Sequence, residues 1–240
     1  MLLKGFFNTD PFNPYPYWDG TVLFDSSTPG TYSYTFQHSI KCGVICVGGG
    51  VGGFCAKTGI TINEGSPSEA TFSGLMASSG ASGGYSYTEY DFNKGDSVII
   101  SVGQGGTAYS STALYGTIAQ AHPSLTLGSV AGTTSRVVLG NSIILFAHSG
   151  TAGRIYLSTP SDPNSLASEV SAGGSGSESF GHNGIITGAG SDISLNGGSS
   201  VYEIYGAGGN AGFSGDNQSG TPWANNGGNG YVKIFAIMPS

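Results

Sequence analysis

The chain has 240 residues, of which 43 are glycine, 13 tyrosine and 12 phenylalanine, and its formal net charge is −7. The glycines follow no strict third-residue repeat with abundant proline, which excludes collagen, and the aromatic content exceeds that of a disordered linker. The seven Lys and Arg residues are scattered, so the composition argues against a phosphate-binding face and predicts no nucleic-acid partner.

Residues 1–20 differ from the rest because their aromatic side chains alternate with prolines, which favour extended backbone. We predict an extended N-terminal docking segment that packs either on its own domain or into a neighbouring subunit. The assembly contacts expected there are Phe6, Phe7, Phe12, Tyr15, Tyr17 and Trp18. The apolar start, Met1–Leu3, is too short for a secretory signal or a membrane span. We therefore expect synthesis in a cytoplasm without a Sec signal, and no membrane insertion.

Residues 21–240 are predicted to form one glycine-rich domain. Helix signals are nearly absent, whereas short runs of alternating apolar residues end in Gly, Ser, Asn or Pro. The fold expected is an all-β, jelly-roll-like β-sandwich with packed glycine-rich loops or short polyglycine-type helices. The predicted strands are 31–36, 41–47, 84–92, 97–102, 136–139, 142–147, 154–157, 201–205 and 230–237, with Tyr32, Tyr34 and Phe36 on one face.

Glycine clusters separate these strands, as at 48–53, 83–84, 103–106, 206–209 and 227–230. Only glycine permits very close approach of two backbones, so clusters that recur at strand ends indicate segments packed against each other or against a sheet. We expect them to be buried, and not to act as flexible linkers.

Five motifs in sequence carry a family resemblance: 30–36 (GTYSYTF), 44–50 (VICVGGG), 83–85 (GGY), 94–106 (KGDSVIISVGQGG) and 227–234 (GGNGYVKI). In this order they resemble the glycine-rich domain of phage tail-fibre and adhesin proteins. The resemblance implies a β-sandwich that carries glycine helices and serves attachment or display on a virion or cell surface.

Motifs of catalytic chemistry fail in their sequence context. Residues 48–53 fit the G-x-G-x-x-G dinucleotide pattern and residues 80–84 fit the G-x-S-x-G nucleophile pattern around Ser82, but neither opens a helix. Glu89 and Asp91 lie on the same face of a predicted strand, but a carboxylate pair of this kind usually belongs to a solvated face and not to a catalytic site. The sequence thus predicts a protein that is not an enzyme and has no cofactor.

Three cysteines, Cys42, Cys46 and Cys55, make an odd set within fourteen residues, which is no disulfide framework. A zinc site would need a fourth ligand, and the nearest histidine is His38. We expect reduced, buried thiols and no metal site.

Five aromatic residues in Gly/Ser-rich surroundings are candidate receptor or partner contacts, although each could instead anchor its own loop. They are Tyr109, Tyr115, Phe180, Phe213 and Trp223.

The function expected is that of a non-catalytic phage virion surface protein, a tail-fibre tip or related adhesin, that binds a host surface. The alternative is a structural subunit of an extracellular filament, sheath or capsid decoration layer. Either role places the protein on a virion surface or outside cells. The partners expected are copies of itself in a trimer or polymer, other virion or filament subunits, and a host surface glycan or protein.

Overall fold

The fold was analysed in a computed structural model, which describes residues 19–63, 69–119, 130–151, 154–157, 166–169, 173–175, 186–187, 194–200, 202–214 and 221–238. Within these ranges the regular structure is all strand, which confirms the all-β class. The strands are β1 (Val22–Ser26), β2 (Gly30–Thr35), β3 (Ile40–Val47), β4 (Phe54–Asn63), β5 (Glu69–Ser78), β6 (Tyr85–Phe92), β7 (Ser97–Val102), β8 (Tyr109–Ala119), β9 (Ser135–Leu139), β10 (Ser142–Ala147), β11 (Arg154–Leu157), β12 (Leu166–Glu169), β13 (Ile186–Thr187), β14 (Ser194–Leu195), β15 (Ala211–Ser214), β16 (Thr221–Ala224) and β17 (Tyr231–Ala236).

Two four-stranded antiparallel sheets contribute to one hydrophobic core. The first sheet has the order β1-β17-β3-β6 and the second the order β10-β9-β7-β2. Strand alternation directs one face of each sheet inward. The buried core residues are Phe36, Cys42, Val44, Cys46, Phe92, Val98, Ile100, Val102, Val137, Leu145, Ala147, Val232 and Ile234. Tyr32 and Tyr34 pack against this core together with Phe36, as their spacing predicts.

The remaining strands form smaller groups. A sheet of order β13-β5-β4-β8 contains the long β4–β5 hairpin, with β8 parallel to β4. A three-stranded sheet has the order β14-β15-β16, and β11 pairs with β12. Strands β1, β4, β5, β8 and β12 to β16 were not among the strands predicted from the sequence.

The strand predicted at 201–205 is wrong over its described residues. Tyr202 and Tyr205 face each other across a turn, where Glu203 has a φ of 49°. The ring of Tyr205 stacks on Tyr231 with centroids 4.1 Å apart, and Tyr202 stacks on Tyr85 at 5.3 Å. Aromatic packing on the outer face of the first sheet thus takes the place of strand pairing.

Nine short segments in the described chain, most of them glycine-rich, hydrogen-bond to one another through their backbones. We call them the glycine bundle: 48–53, 80–84, 103–107, 130–133, 148–150, 173–175, 197–198, 206–210 and 225–230. Residues 48–53 and 80–84 are buried throughout. A Cβ added at Gly50, Gly83 or Gly208 would lie less than 3 Å from a carbonyl oxygen of another segment. Glycine is therefore required sterically at these contacts.

The N–H groups of the central segment, 48–53, point in three directions that repeat every third residue. Gly48 and Val51 donate to the carbonyls of Gly84 and Ala81, respectively. Gly49 and Gly52 donate to those of Thr133 and Val130, and Gly50 and Gly53 to those of Gly228 and Asn225. All six N···O distances lie between 2.8 and 3.2 Å. Three other segments donate to its carbonyls, through Gly106, Gly150 and Gly209. Every N–H of the central segment is therefore satisfied by backbone of other segments, as a buried backbone donor must be.

The bundle gives the molecule two poles. Segment 48–53 leads from β3 to β4, and segment 225–230 leads back from β16 to β17. We call the end of the bundle with Gly53 and Asn225, from which β4 and β8 continue, the distal pole. The opposite end of the two-sheet core is the terminal pole, where the N–H of Met238 donates to Oδ1 of Asp19 at 3.0 Å. β17 runs antiparallel to β1 and β3 between them, so both described chain ends lie at the terminal pole.

Candidate functional site

Two of the five aromatic candidates lie at the distal pole with described side chains. Tyr109 begins β8; its N–H donates to the carbonyl of Gly53 at 2.9 Å, and its ring stacks on buried Phe54 at 5.6 Å. Tyr109 nevertheless keeps 40% of its surface exposed. Trp223 is half-buried in β16, two residues before Asn225, which accepts the N–H of Gly53. The structure thus brings both side chains to the same end of segment 48–53.

The other predicted contacts have different outcomes. Tyr115 lies in β8 and Phe213 in β15, where Phe213 pairs with Pro222 of β16. Phe180 lies outside the described residues. The six aromatics of the N-terminal segment, Phe6, Phe7, Phe12, Tyr15, Tyr17 and Trp18, also lie outside them.

A second candidate site lies on the outer face of the second sheet, where sequence reasoning predicted none. Strand register sets side chains of β7, β9 and β10 in two rows. The row beside the glycine bundle is Ser101, Arg136 and Phe146, and the next row is Ile99, Val138 and Ile143. Ile99, Ile143 and Phe146 are 51%, 57% and 42% exposed, which is unusual for such side chains on a sheet face.

These rows border an open depression with a volume of about 360 Å³, which we call the flank depression. Its lining residues are Ser101, Thr134, Arg136, Ile143, Phe146 and His148. The ring of His148 meets the Phe146 ring edge-on with centroids 4.8 Å apart. Its Nδ1 lies 3.4 Å from Oγ1 of Thr134. The depression therefore combines a cation, aromatic and aliphatic surface, and hydroxyl groups.

The glycine bundle holds the ends of the strands that carry the flank depression. The N–H of Gly84 donates to the carbonyl of His148 at 2.9 Å. Ser135, between Thr134 and Arg136, is fully buried and donates its hydroxyl to the carbonyl of Val47 at 2.6 Å. A bulge between Ile143 and Leu145 keeps Ile143 outward and Leu145 in the core. These contacts therefore hold in place the backbone that carries the lining side chains.

The phosphate-binding interpretation of 48–53 meets a physical obstacle in this structure. Every N–H of that segment already donates to a backbone carbonyl, so none is free to hold a phosphate. Ser82 is fully buried inside the glycine bundle, where the nucleophile pattern would require an exposed hydroxyl. Glu89 forms an ion pair with Lys41, with Oε2 and Nζ 2.5 Å apart, and this partner lowers the pKa of the Glu89 carboxyl.

The three cysteines are buried and reduced, as expected. Cys42 and Cys46 belong to the main core, whereas Cys55 packs with Ala77 and Ala211 at the distal pole. Burial raises the pKa of Cys42 and of Cys55 to about 12, so both remain neutral thiols in neutral solution. Among the described residues, no three His, Cys, Asp or Glu side chains come together as metal ligands.

The described part of the chain holds no helix long and apolar enough to cross a membrane. Comparison of the sequence with protein-family models and with curated proteins gave no match.

Proposed function

We propose that this protein is a non-catalytic surface module, mounted through its terminal pole and binding a host surface through its distal pole. The observation that supports this best is the separation of the two ends. Both described chain ends lie at the terminal pole, while Tyr109 and Trp223 lie beyond the glycine bundle. The role we propose is that of a phage tail-fibre tip or related adhesin.

In this proposal the glycine bundle is a rigid spacer. The repeat of N–H directions every third residue is that expected of polyglycine-type helices, with three residues per turn and about 3.1 Å rise per residue. Segment 48–53 would then span about 19 Å. A rigid spacer favours binding because contact loops held in place lose little conformational entropy when they meet a receptor. We also propose that the two sheets form a jelly-roll-like sandwich.

The N-terminal segment completes the proposal at the other end. Asp19 and Gly20 are fixed beside the end of β17, where the N–H of Gly20 donates to the carbonyl of Ala236 at 2.9 Å. The aromatic residues that precede them in sequence would then dock into another copy or another virion subunit. Several copies on one particle would raise avidity without strong single sites.

Binding of fluorescently labelled protein to a panel of bacterial cells tests the distal contact. Tyr109→Ala and Trp223→Ala should each weaken retention on a bound species at least about fivefold, the loss expected from an exposed aromatic contact. Lys94→Ala is the control, because this exposed residue lies in the β6–β7 turn at the terminal pole. Equal losses in all three variants, or none, would contradict the distal contact.

Electron microscopy of the purified protein tests the assembly. Discrete trimers support the adhesin. Long polymers support instead the alternative, a structural subunit of an extracellular filament, sheath or decoration layer.

A further inference from the structure

We propose that the flank depression is a second binding site and that its ligand is a sugar bearing a carboxylate, such as a uronic acid. The inference goes beyond the distal contact because the flank depression is built by the second sheet and does not involve Tyr109 or Trp223.

The charge of Arg136 favours a carboxylate as ligand. Arg136 is exposed, and among the described residues no carboxylate lies within 4 Å of its guanidinium. The chain carries a net charge of −7, which disfavours anions over most of its surface. A guanidinium placed alone in a depression is suited to a carboxylate, which it can bind with two parallel hydrogen bonds.

The remaining lining residues indicate a sugar and not a simple acid. Phe146 presents an exposed ring beside Arg136, and Ile143 extends the apolar surface by one row. A pyranose ring has an apolar face that packs on such a surface. The hydroxyls of Ser101 and Thr134 line the same depression and can pair with sugar hydroxyls.

Size and rigidity favour the same ligand. A volume of about 360 Å³ lies at the small end of the range for small-molecule sites, which suits one or two sugar units. The strands beneath are fixed by the buried Ser135 and by His148, so little ordering is required on binding.

The test is an NMR titration of the full chain with methyl glucuronoside and methyl glucoside, which differ only at C6, a carboxylate in the first and a hydroxymethyl group in the second. The glucuronoside should bind at least about tenfold more tightly, the gain expected from charge-assisted hydrogen bonds. Arg136→Gln should remove that difference in affinity, and Phe146→Ala should weaken the binding of both sugars. Lys41→Gln is the matched control, since it removes one cation from the other sheet.

Acetate is titrated as a third ligand, to measure the binding of a carboxylate without a sugar. The assembly state of each variant is measured by sedimentation. Equal binding of the two glycosides, or an equal effect of Arg136→Gln and Lys41→Gln, would overturn the carboxylate site. If acetate binds as tightly as the glucuronoside, the proposal that the ligand is a sugar is wrong. A change of assembly state in Arg136→Gln would assign the depression to a contact between copies. None of these results depends on cells, so failure here and failure of the distal contact are distinguishable.

Discussion

The α-carbon of Gly49 packs against the carbonyl oxygen of Gln104, so closely that a Cβ on Gly49 would lie less than 3 Å from that oxygen. The same glycine donates its N–H to Thr133 at 3.0 Å, and its carbonyl accepts from Gly150 at 3.3 Å. One residue thus joins three neighbouring segments of the glycine bundle, and its missing side chain is a condition of that packing.

Gly49→Ala should therefore destabilise the protein by about 3 kcal/mol or more, through overlap that only movement of backbone can relieve. Gly228→Ala is the matched control, because its Cβ would meet Ala207 N at 3.1 Å and the neighbour need shift only slightly. We expect a cost of about 1 kcal/mol or less there. Urea unfolding of both variants checks the prediction, and equal midpoints would contradict it.

Ser135 links the two sheets to the bundle through its hydroxyl. Its Oγ donates to the carbonyl of Val47 at 2.6 Å and accepts the N–H of Gly103 at 2.9 Å, all in the buried interior. Ser135→Ala leaves both backbone groups without that partner, so we expect a loss of about 2–4 kcal/mol. Ser97→Ala, at an exposed position, should change stability by less than about 0.5 kcal/mol. An unchanged unfolding midpoint for Ser135→Ala would show that other groups replace the hydroxyl.

Much of the two-sheet core could be predicted from the sequence because its strands are short runs rich in apolar and aromatic residues, separated by Gly, Ser, Asn or Pro. β2, β3, β7, β10 and β17 all lie within a residue or so of their predicted bounds. β4 and β8 are interrupted by Lys, Ser, Thr and Gly, and their parallel pairing joins residues far apart in sequence, such as Phe54 and Tyr109. No local pattern indicates a contact of that kind.

The candidate sites show the same limit. Tyr109 and Trp223 were chosen for residue type, and the structure adds only that they share a pole. Arg136 was missed because its importance depends on register, which sets it between Ser101 on one strand and Phe146 on another. The available signal was outward-facing apolar residues, as at Ile143 and Phe146, but only pairing shows that they meet on one surface.

The buried thiols predict a pH dependence of stability. Burial raises the pKa of Cys42 and Cys55 to about 12, from a usual value near 9, and raises that of Cys46 as well. The folded state then keeps protons that the unfolded chain loses. This contribution is fully present below about pH 9 and is lost as the pH rises towards 12.

We therefore expect the urea midpoint to fall between pH 9 and pH 11 in the wild type. The fall should be smaller in a variant with all three cysteines changed to alanine, compared with its own midpoint at pH 7. In the native protein at pH 8 the thiols should react with a disulfide reagent at least about a hundredfold more slowly than in guanidinium, since only the exposed thiolate is reactive. Fast reaction of any native thiol would contradict their burial.

The N-terminal segment can be removed without disturbing the described contacts of the terminal pole. Asp19 and Gly20 both hydrogen-bond to the end of the chain, so a deletion of residues 1–18 that keeps them leaves the terminal pole intact. The deleted part holds six aromatic residues and only Lys4 and Asp10 as charges. We expect a segment of this composition to pack against a surface, because monomers rarely leave a large apolar patch in water. If that surface belongs to another subunit, the shortened protein should keep its strand circular dichroism and its melting temperature but sediment as a monomer.

A second variant, with the six aromatics changed to serine at full length, should behave in the same way, because the aromatic anchors and not the length supply the contact. Unfolding of both variants would assign the segment to its own domain, and an unchanged assembly state would refute docking between subunits.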